Sequence, residues 1–172
     1  IISEGDDGLI TKITYKALYE KVCQFANGLK TLGLKTGDTV VIYLPMTIEA
    51  VVAMQACARI GLIHSVIFGG FSAKSIQERV ADVKAKLIIT SDLQFRGGKS
   101  IPLKPAIDEA INMGGCESVK KVIVWNRNTK KPEQKSYEID WQDLINGMDL
   151  YCEPVSVNSE HPLFILYTSG ST

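Results

Sequence analysis

The chain contains one stretch, Thr39-Val40-Val41-Ile42-Tyr43-Leu44, that is too apolar to face water on either side. β-Branched and aromatic residues dominate it, and a short continuous apolar run of this kind is typical of a central strand in a parallel sheet. Gly37 and Asp38 turn the chain before the run, and Pro45 ends it. The stretch therefore predicts a buried strand covered on both faces.

Helical and strand patterns alternate on either side of this stretch. Before it, apolar residues recur at steps of three and four from Tyr15 to Leu32, between a capping Thr14 and Gly33. After it, the pattern predicts a helix over 48–60 with Thr47 as N-cap, a strand over 64–68, a helix capped by Ser72, a strand over 86–90, a helix over 105–113, a strand over 122–125, a helix over 140–148 and a strand over 163–166.

Short joints between these elements predict right-handed crossovers. We therefore expect an α/β fold with a doubly wound, mainly parallel sheet and helices on both faces. Asp92 is followed by a glycine-containing basic loop, and residues 130–133 are expected to form an exposed hairpin tip or insertion.

The composition excludes several classes of protein. Of the 172 residues, 45% are apolar and 22% charged, as in ordinary globular domains. The 19 basic residues balance the 19 acidic ones, so no net field would attract nucleic acid or an anionic membrane. No apolar run reaches the roughly 20 residues that span a bilayer. Free thiols in a reducing compartment, the cytoplasm, are expected for the widely spaced Cys23, Cys57, Cys116 and Cys152.

Three segments after predicted strands are rich in glycine, hydroxyl or basic residues, and ligands bind at the carboxyl ends of parallel strands. They are Phe68-Gly69-Gly70-Phe71, Arg96-Gly97-Gly98-Lys99 and Tyr167-Thr168-Ser169-Gly170-Ser171-Thr172. Glycine lets backbone N–H groups approach an anion, and hydroxyls add donors. The last segment therefore predicts a phosphate site.

The other two segments each have a simpler interpretation. Gly69-Gly70 is favoured as a plain turn, although two residues without side chains would also leave room for a ligand. Gly98-Lys99-Ser100 imitates a Walker A loop, but Leu93 stands where that motif requires glycine. Arg96 and Lys99 remain either a phosphate clamp or charges on a solvated turn.

The remaining reactive residues predict neither a catalytic nor a metal site. His64 is interpreted as a satisfied, partly buried imidazole, and His161 lies in an extended segment before Pro162. The cysteines within helical patterns are interpreted as core residues. The G-x-G-x-x-G fingerprint does not occur, which weakens the alternative of a Rossmann oxidoreductase.

The terminal Tyr167-Thr168-Ser169-Gly170-Ser171-Thr172 resembles the opening of the phosphate-binding signature of the acyl-adenylate-forming (AMP-binding) enzymes. Further motifs make residues 14–172 most similar to the short-chain branch, above all the acetyl-CoA synthetase (acetate–CoA ligase) family. They are Tyr43-Leu44-Pro45-Met46, Ala56-Cys57-Ala58-Arg59-Ile60-Gly61, His64-Ser65-Val66-Ile67-Phe68-Gly69-Gly70-Phe71-Ser72 and Arg96-Gly97-Gly98-Lys99.

The resemblance implies a two-step reaction. Acetate attacks Mg-ATP to give acetyl-AMP and pyrophosphate, and the CoA thiol then displaces AMP. It also implies ligands for particular residues: Thr168, Ser169, Gly170, Ser171 and Thr172 for the β- and γ-phosphates of ATP; Arg96, Gly97, Gly98 and Lys99 for the phosphates at the adenosine end of CoA; Gly69 and Gly70 for the pantetheine tunnel.

The chain begins at Ile1 and ends within the terminal loop, so we expect part of a large N-terminal domain and no second complete domain. The resemblance places the catalytic lysine, the Mg²⁺ ligands and the acyl pocket beyond Thr172, and these 172 residues are expected to be inactive by themselves. Two alternatives stay open, namely propionate or another short acid as substrate, and a non-catalytic nucleotide- or CoA-binding module. The expected partners are small molecules, not nucleic acid or membrane.

Overall fold

The structure is a computed structural model that describes residues 1–6, 8–128 and 134–168. Its strands are β1 (Ile2–Glu4), β2 (Ile10–Lys12), β3 (Thr39–Tyr43), β4 (Ile63–Val66), β5 (Leu87–Ser91), β6 (Leu93–Arg96), β7 (Lys99–Pro102), β8 (Lys121–Trp125), β9 (Glu138–Asp140) and β10 (Phe164–Ile165). Its helices are α1 (Tyr15–Thr31), α2 (Ile48–Arg59), α3 (Ala73–Asp82), α4 (Lys104–Asn112) and α5 (Trp141–Ile145).

Six strands form one parallel sheet in the order β10-β4-β3-β5-β8-β9. The apolar stretch that begins at Thr39 is β3, and it lies inside this sheet as predicted. β4 flanks β3 on one side and β5 flanks it on the other, so successive crossovers run in opposite directions from β3. The doubly wound α/β fold is confirmed.

The two faces of β3 belong to two separate apolar cores. Val40 and Ile42 pack in the core that contains residues of α1, α2 and α5, whereas Val41 and Tyr43 pack in the core that contains residues of α3 and α4. Successive side chains of a strand point to opposite faces, so helices on both sides are needed to bury this one. The continuous apolar run is explained by this two-sided cover.

Two of the three predicted N-caps are confirmed. The Thr14 hydroxyl accepts from the Ala17 N–H at 3.1 Å, and the Ser72 hydroxyl accepts from the Ser75 N–H at 3.3 Å. Thr47 stands at the N-cap position of α2, but its side chain makes no capping bond within the described residues. Its hydroxyl donates instead to the Pro45 carbonyl at 3.4 Å, a local bond that competes with capping.

The basic segment after Asp92 is a β-hairpin, and its prediction as a loop was wrong. β6 and β7 pair antiparallel, and Gly97 and Gly98 form the two-residue turn between them. Their φ angles of 57° and 73° are those of a type I′ turn, which matches the twist of the flanking strands.

Other differences lie at short or terminal elements. β1 and β2 form a second hairpin, and β9 pairs parallel with β8; neither was predicted. The strand predicted over 64–68 ends at Val66, and the helix predicted over 140–148 ends at Ile145. The predicted tip at 130–133 lies outside the described residues.

Asp92 connects the β6–β7 hairpin to the sheet. Its carbonyl accepts from the Leu103 N–H at 2.9 Å and from the Lys104 N–H at 3.3 Å. Its carboxylate accepts from the backbone N–H groups of Leu93 (2.8 Å), Arg127 (2.9 Å) and Asn128 (3.1 Å). The two ends of the hairpin therefore meet at Asp92. The same residue also binds the segment after β8.

Candidate functional site

A cleft of about 590 Å³ opens at the carboxyl ends of the parallel strands. Its walls come from the segments after β3, β4, β8 and β10, from β6 and from the loop after β1. Among its lining residues are Leu44, Phe68, Gly69, Arg96 and Tyr167. The carboxyl edge of an open α/β sheet is where such folds bind ligands. All three glycine- or hydroxyl-rich segments thus contribute to, or directly adjoin, one cleft.

The Gly69-Gly70 segment is held from behind by two buried polar side chains. Gln94, only 6% exposed, donates from Nε2 to the Gly69 carbonyl at 2.7 Å. The Tyr43 hydroxyl accepts from the Gly70 N–H at 3.1 Å and donates to the Phe71 carbonyl at 3.2 Å. Burial raises the pKa of Tyr43, an effect that the Gly70 N–H partly offsets, so the hydroxyl stays protonated at neutral pH.

Space and backbone conformation both require glycine at this pair. A Cβ on Gly69 would lie 2.9 Å from Gln94 Oε1, and Gly70 has φ of +140°, which L residues rarely adopt. Gly69 lines the cleft, and a Cβ on Gly70 would lie 3.8 Å from Arg96 Nη1. The pair is therefore more than a plain turn, since it is packed against the hairpin that carries Arg96.

The tip of the β6–β7 hairpin presents two cations side by side. Arg96 and Lys99 are exposed and directly opposite each other in the strand register. Like charges in this position repel each other, so an anion between them would relieve a cost. The Arg96 guanidinium also lies 5.3 Å from the centroid of the Phe68 ring.

A carboxylate reaches one donor of this turn. The Gly97 N–H, which sequence reasoning assigned to phosphate, donates to Asp6 Oδ2 at 3.0 Å. Asp6 lines the same cleft as Arg96. The turn therefore binds a carboxylate oxygen with the same backbone donor that a phosphate oxygen would use.

Arg79 was missed by the sequence analysis. It lies on α3, is only 7% exposed and lines the cleft. Its guanidinium Cζ is 4.8 Å from the centroid of the Phe71 ring and 5.0 Å from that of Tyr167. The helical pattern placed a polar residue at this position, but it did not show the two rings that cover it: Tyr167 is far away in the sequence, and Phe71 lies in the turn before α3.

Tyr167 leads into the predicted phosphate loop. Its hydroxyl donates to the Asp82 carboxylate, and burial together with this bond raises the pKa of Tyr167 to about 12. Thr168 follows it and is exposed. Ser169, Gly170, Ser171 and Thr172 lie outside the described residues. Arg127, a further cleft residue that sequence reasoning missed, lies over Phe95 and Trp125 at 4.8 and 5.0 Å.

The histidines and cysteines lie mainly in the framework. His64 is buried, and burial lowers its pKa. Its Nδ1 has no hydrogen-bond partner among the described residues, so the prediction of a satisfied imidazole was wrong. The ring of Phe164, with its centroid 5.9 Å away, offers no acceptor. His161 Nε2 lies 3.0 Å from the Gly61 carbonyl. All four cysteines are free, as expected, and the burial interpreted for Cys23 and Cys57 is confirmed; Cys116 and Cys152 are buried as well.

Two searches of the described residues bear on other kinds of site. Across 1–6, 8–128 and 134–168, no three His, Cys, Asp or Glu residues are grouped so as to hold a metal ion. Over the same ranges, no helix has both the length and the apolar character needed to cross a membrane.

Comparisons with known proteins point to one family. A family model described as "AMP-binding enzyme" matches residues 5–172. The acetyl-coenzyme A synthetases of Thiobacillus denitrificans and Cupriavidus pinatubonensis are each 57% identical to this chain, over 172 and 173 residues. Each match covers 100% of this chain and 26% of the relative. The chain therefore spans about a quarter of the length of these curated relatives.

A solved structure shares the fold. The crystal structure of an acyl-CoA synthetase from Brucella canis matches with a TM-score of 0.80 at 23% sequence identity. The match covers 98% of this chain and 28% of that chain. At this identity the likeness concerns the fold alone.

Proposed function

The chain belongs to the AMP-binding enzyme family, and we propose that the full-length protein containing it is an ATP-dependent acetate–CoA ligase. In the first step, an acetate oxygen attacks the α-phosphorus of Mg-ATP, giving acetyl-AMP and pyrophosphate. In the second, the CoA sulfur attacks the acetyl carbonyl carbon and AMP leaves. The observation that carries the proposal is the meeting of Gly69, Arg96 and Tyr167 in one cleft, in a chain 57% identical to acetyl-coenzyme A synthetases.

The proposed ATP site begins at Tyr167. Thr168, Ser169, Gly170, Ser171 and Thr172 would supply hydroxyl and backbone N–H donors to the β- and γ-phosphates. Such a loop works by positioning the phosphates and neutralising their charge, which requires no nucleophile from the protein. Mg²⁺ would enter bound to ATP, with its protein ligands in the rest of the full-length chain.

The proposed CoA site lies around the hairpin tip. Arg96 offers a planar fork and Lys99 a point charge to the phosphates at the adenosine end of CoA. Gly97 and Gly98 would add backbone N–H donors, with a phosphate oxygen replacing the Asp6 carboxylate at the Gly97 N–H. The side-by-side placement of Arg96 and Lys99 supports this role, because an anion bound between them would offset the repulsion of two like charges. Gly69 and Gly70 would border the pantetheine arm, where a side chain would obstruct it.

The chain's place in the full-length protein is part of the same proposal. Residues 1–172 would form the N-terminal part of a large AMP-binding domain and would not turn over alone, since the relatives are about four times as long. The four free, buried cysteines support a reducing compartment such as the cytoplasm. The proposed partners are acetate, ATP and CoA.

The adenylation step is tested by exchange of labelled pyrophosphate into ATP, catalysed by the full-length protein without CoA. We expect exchange that depends on acetate. The proposal is wrong if exchange is absent with acetate and with every other short acid. A higher kcat/KM with propionate than with acetate would reassign the acid while leaving the reaction type intact.

The CoA site is tested by calorimetry with CoA on the full-length protein. Arg96→Ala combined with Lys99→Ala should weaken binding by about 10- to 100-fold, since the two exposed side chains should each contribute about 0.7–1.4 kcal/mol net. The matched control combines Lys16→Ala with Lys74→Ala, which removes the same charge from exposed positions on α1 and α3. Equal affinities in the two double variants would reject the site.

A further inference from the structure

Helix α3 contacts two cleft-lining segments that are far apart in the sequence. Arg79, on its second turn, lies over the ring of Phe71, in the segment that follows Gly69-Gly70. The same guanidinium lies over the ring of Tyr167, at the start of the terminal loop. One buried cation therefore contacts both cleft-lining segments, although they are about 100 residues apart in the sequence.

The chemistry of a guanidinium suits this double contact. It is planar and delocalised, so it stacks on aromatic rings in a way that an ammonium group does not. Burying a charge is costly unless partners stabilise it. Here Nη1 donates to the Ser75 carbonyl at 2.9 Å, and the two ring faces lie within 5.0 Å of Cζ. The head group is thereby fixed to its own helix.

Phe71 and Tyr167 each have a hydrogen bond of their own, which shows what Arg79 adds. The Phe71 carbonyl is fixed by the Tyr43 hydroxyl, and the Tyr167 hydroxyl is fixed by Asp82, one turn after Arg79 on α3. These bonds hold one end of each residue. Arg79 is the contact that fixes both rings to the same rigid element.

We propose that Arg79 is a positioning residue that sets the glycine-pair segment and the start of the terminal loop at the same time. The inference rests on the proposed function, in which these two segments border CoA and the phosphates of ATP. Arg79 acts through Phe71 and Tyr167. Loss of its planar head group should therefore weaken the use of both substrates.

The test compares conservative variants of the full-length protein. Arg79→Lys keeps the charge but loses the planar contact, and we expect KM for ATP in pyrophosphate exchange and KM for CoA in the overall reaction each to rise by about 3- to 30-fold. Phe71→Leu should raise mainly KM for CoA, and Tyr167→Leu mainly KM for ATP. A purely structural role would not make one variant affect mainly KM for CoA and the other mainly KM for ATP.

The matched control is Arg59→Lys on α2. Arg59 also lies over a tyrosine ring, that of Tyr19 at 5.0 Å, and also donates to a carbonyl, that of Cys152 at 2.6 Å, but it does not line the cleft. The Arg59→Lys variant should have a lower thermal midpoint of unfolding, while its KM values for ATP and CoA stay unchanged.

Each outcome bears on a different statement. If Arg79→Lys lowers the thermal midpoint but leaves both KM values as in Arg59→Lys, Arg79 is only structural and the inference fails. A rise in one KM alone would also overturn the shared role. Absence of exchange in the wild-type protein would overturn the proposed function, and this inference with it.

Discussion

Gly69-Gly70 and Gly97-Gly98 are the same dipeptide beyond the carboxyl ends of the same sheet, yet they require glycine for different reasons. A Cβ on Gly69 would lie 2.9 Å from Gln94 Oε1, although its φ is outside the left-handed region. A Cβ on Gly97 would meet no described atom within 4 Å, but its φ is 57°. Gly69 is therefore limited by packing, whereas Gly97, like Gly70 with its φ of +140°, is limited by backbone conformation. Substitutions should therefore separate two pairs that look alike in the sequence.

The largest effect should come from Gly69→Ala. The new Cβ would displace the Gln94 amide, which is buried and bonded to the Gly69 carbonyl, so we expect a loss of about 1–3 kcal/mol in the free energy of unfolding. Urea unfolding measures it. In a Gln94→Ala background the same change should cost much less, because the obstructing group is gone. An equal cost in both backgrounds would show that packing against Gln94 is not the reason.

Tyr43→Phe should have the next largest effect, and it should be confined to the first pair. The hydroxyl bridges the Gly70 N–H and the Phe71 carbonyl, so its loss should cost about 1–2 kcal/mol. Amide exchange at Gly70 should accelerate, while exchange in the β6–β7 hairpin should not change. Tyr15→Phe, at a side chain that is 92% exposed, is the matched control. Similar costs for the two variants would contradict the bridging role.

At Gly97-Gly98, the expected losses in the free energy of unfolding are smaller, and they depend on which residue replaces glycine. Gly97→Ala should cost about 1 kcal/mol, because L residues other than Asn and Asp adopt the left-handed region poorly. Gly97→Asn should be almost neutral, since Asn is favoured at this position of a type I′ turn and the space around it is open. Urea unfolding of both variants checks the order. Equal costs for Ala and Asn would mean that space, not backbone conformation, limits this pair.

The smallest effect should come from Asp6→Asn. The amide oxygen can still accept from the Gly97 N–H, so stability should hardly change, but a negative charge leaves the proposed CoA site. KM for CoA should fall by about two- to threefold at low ionic strength and approach the wild-type value in high salt. Glu160→Gln, at the amino edge of the sheet, should change nothing. A rise in KM for CoA would mean that Asp6 supports the turn more than it repels the ligand.

The sheet could be predicted because its signals are local. β3 is one uninterrupted apolar run, and α1 shows both its apolar stripe and its Thr14 cap. The β6–β7 hairpin was missed because its strands are short and basic. Its signal was present all the same, since two glycines separate Leu93-Gln94-Phe95-Arg96 from a second short segment. A two-residue glycine turn between alternating side chains is a strong hairpin pattern.

The partners within the cleft could not be predicted in this way. Gln94 and Tyr43 carry no motif, and their roles depend on which backbone groups the fold brings within reach. Arg79 matches an ordinary polar position of a helix. Its partner Tyr167 reaches it only through the crossovers of the sheet, and its contact with Phe71 depends on how the turn before α3 folds. Segments that end strands can be found from sequence, whereas the side chains that hold those segments require tertiary structure.

The hydrogen bonds to Asp92 affect how freely the length and sequence of the β6–β7 hairpin can vary. Because the Leu103 and Lys104 N–H groups both bond to the Asp92 carbonyl, residues 93–102 form a closed excursion whose two ends meet at one point of the crossover from β5 to α4. Such an excursion can be lengthened, shortened or exchanged while the sheet and its helices keep their register. Beyond the buried Leu93 and Gln94, the hairpin is thus a site where ligand preference can evolve, or be engineered by grafting, with little effect on folding.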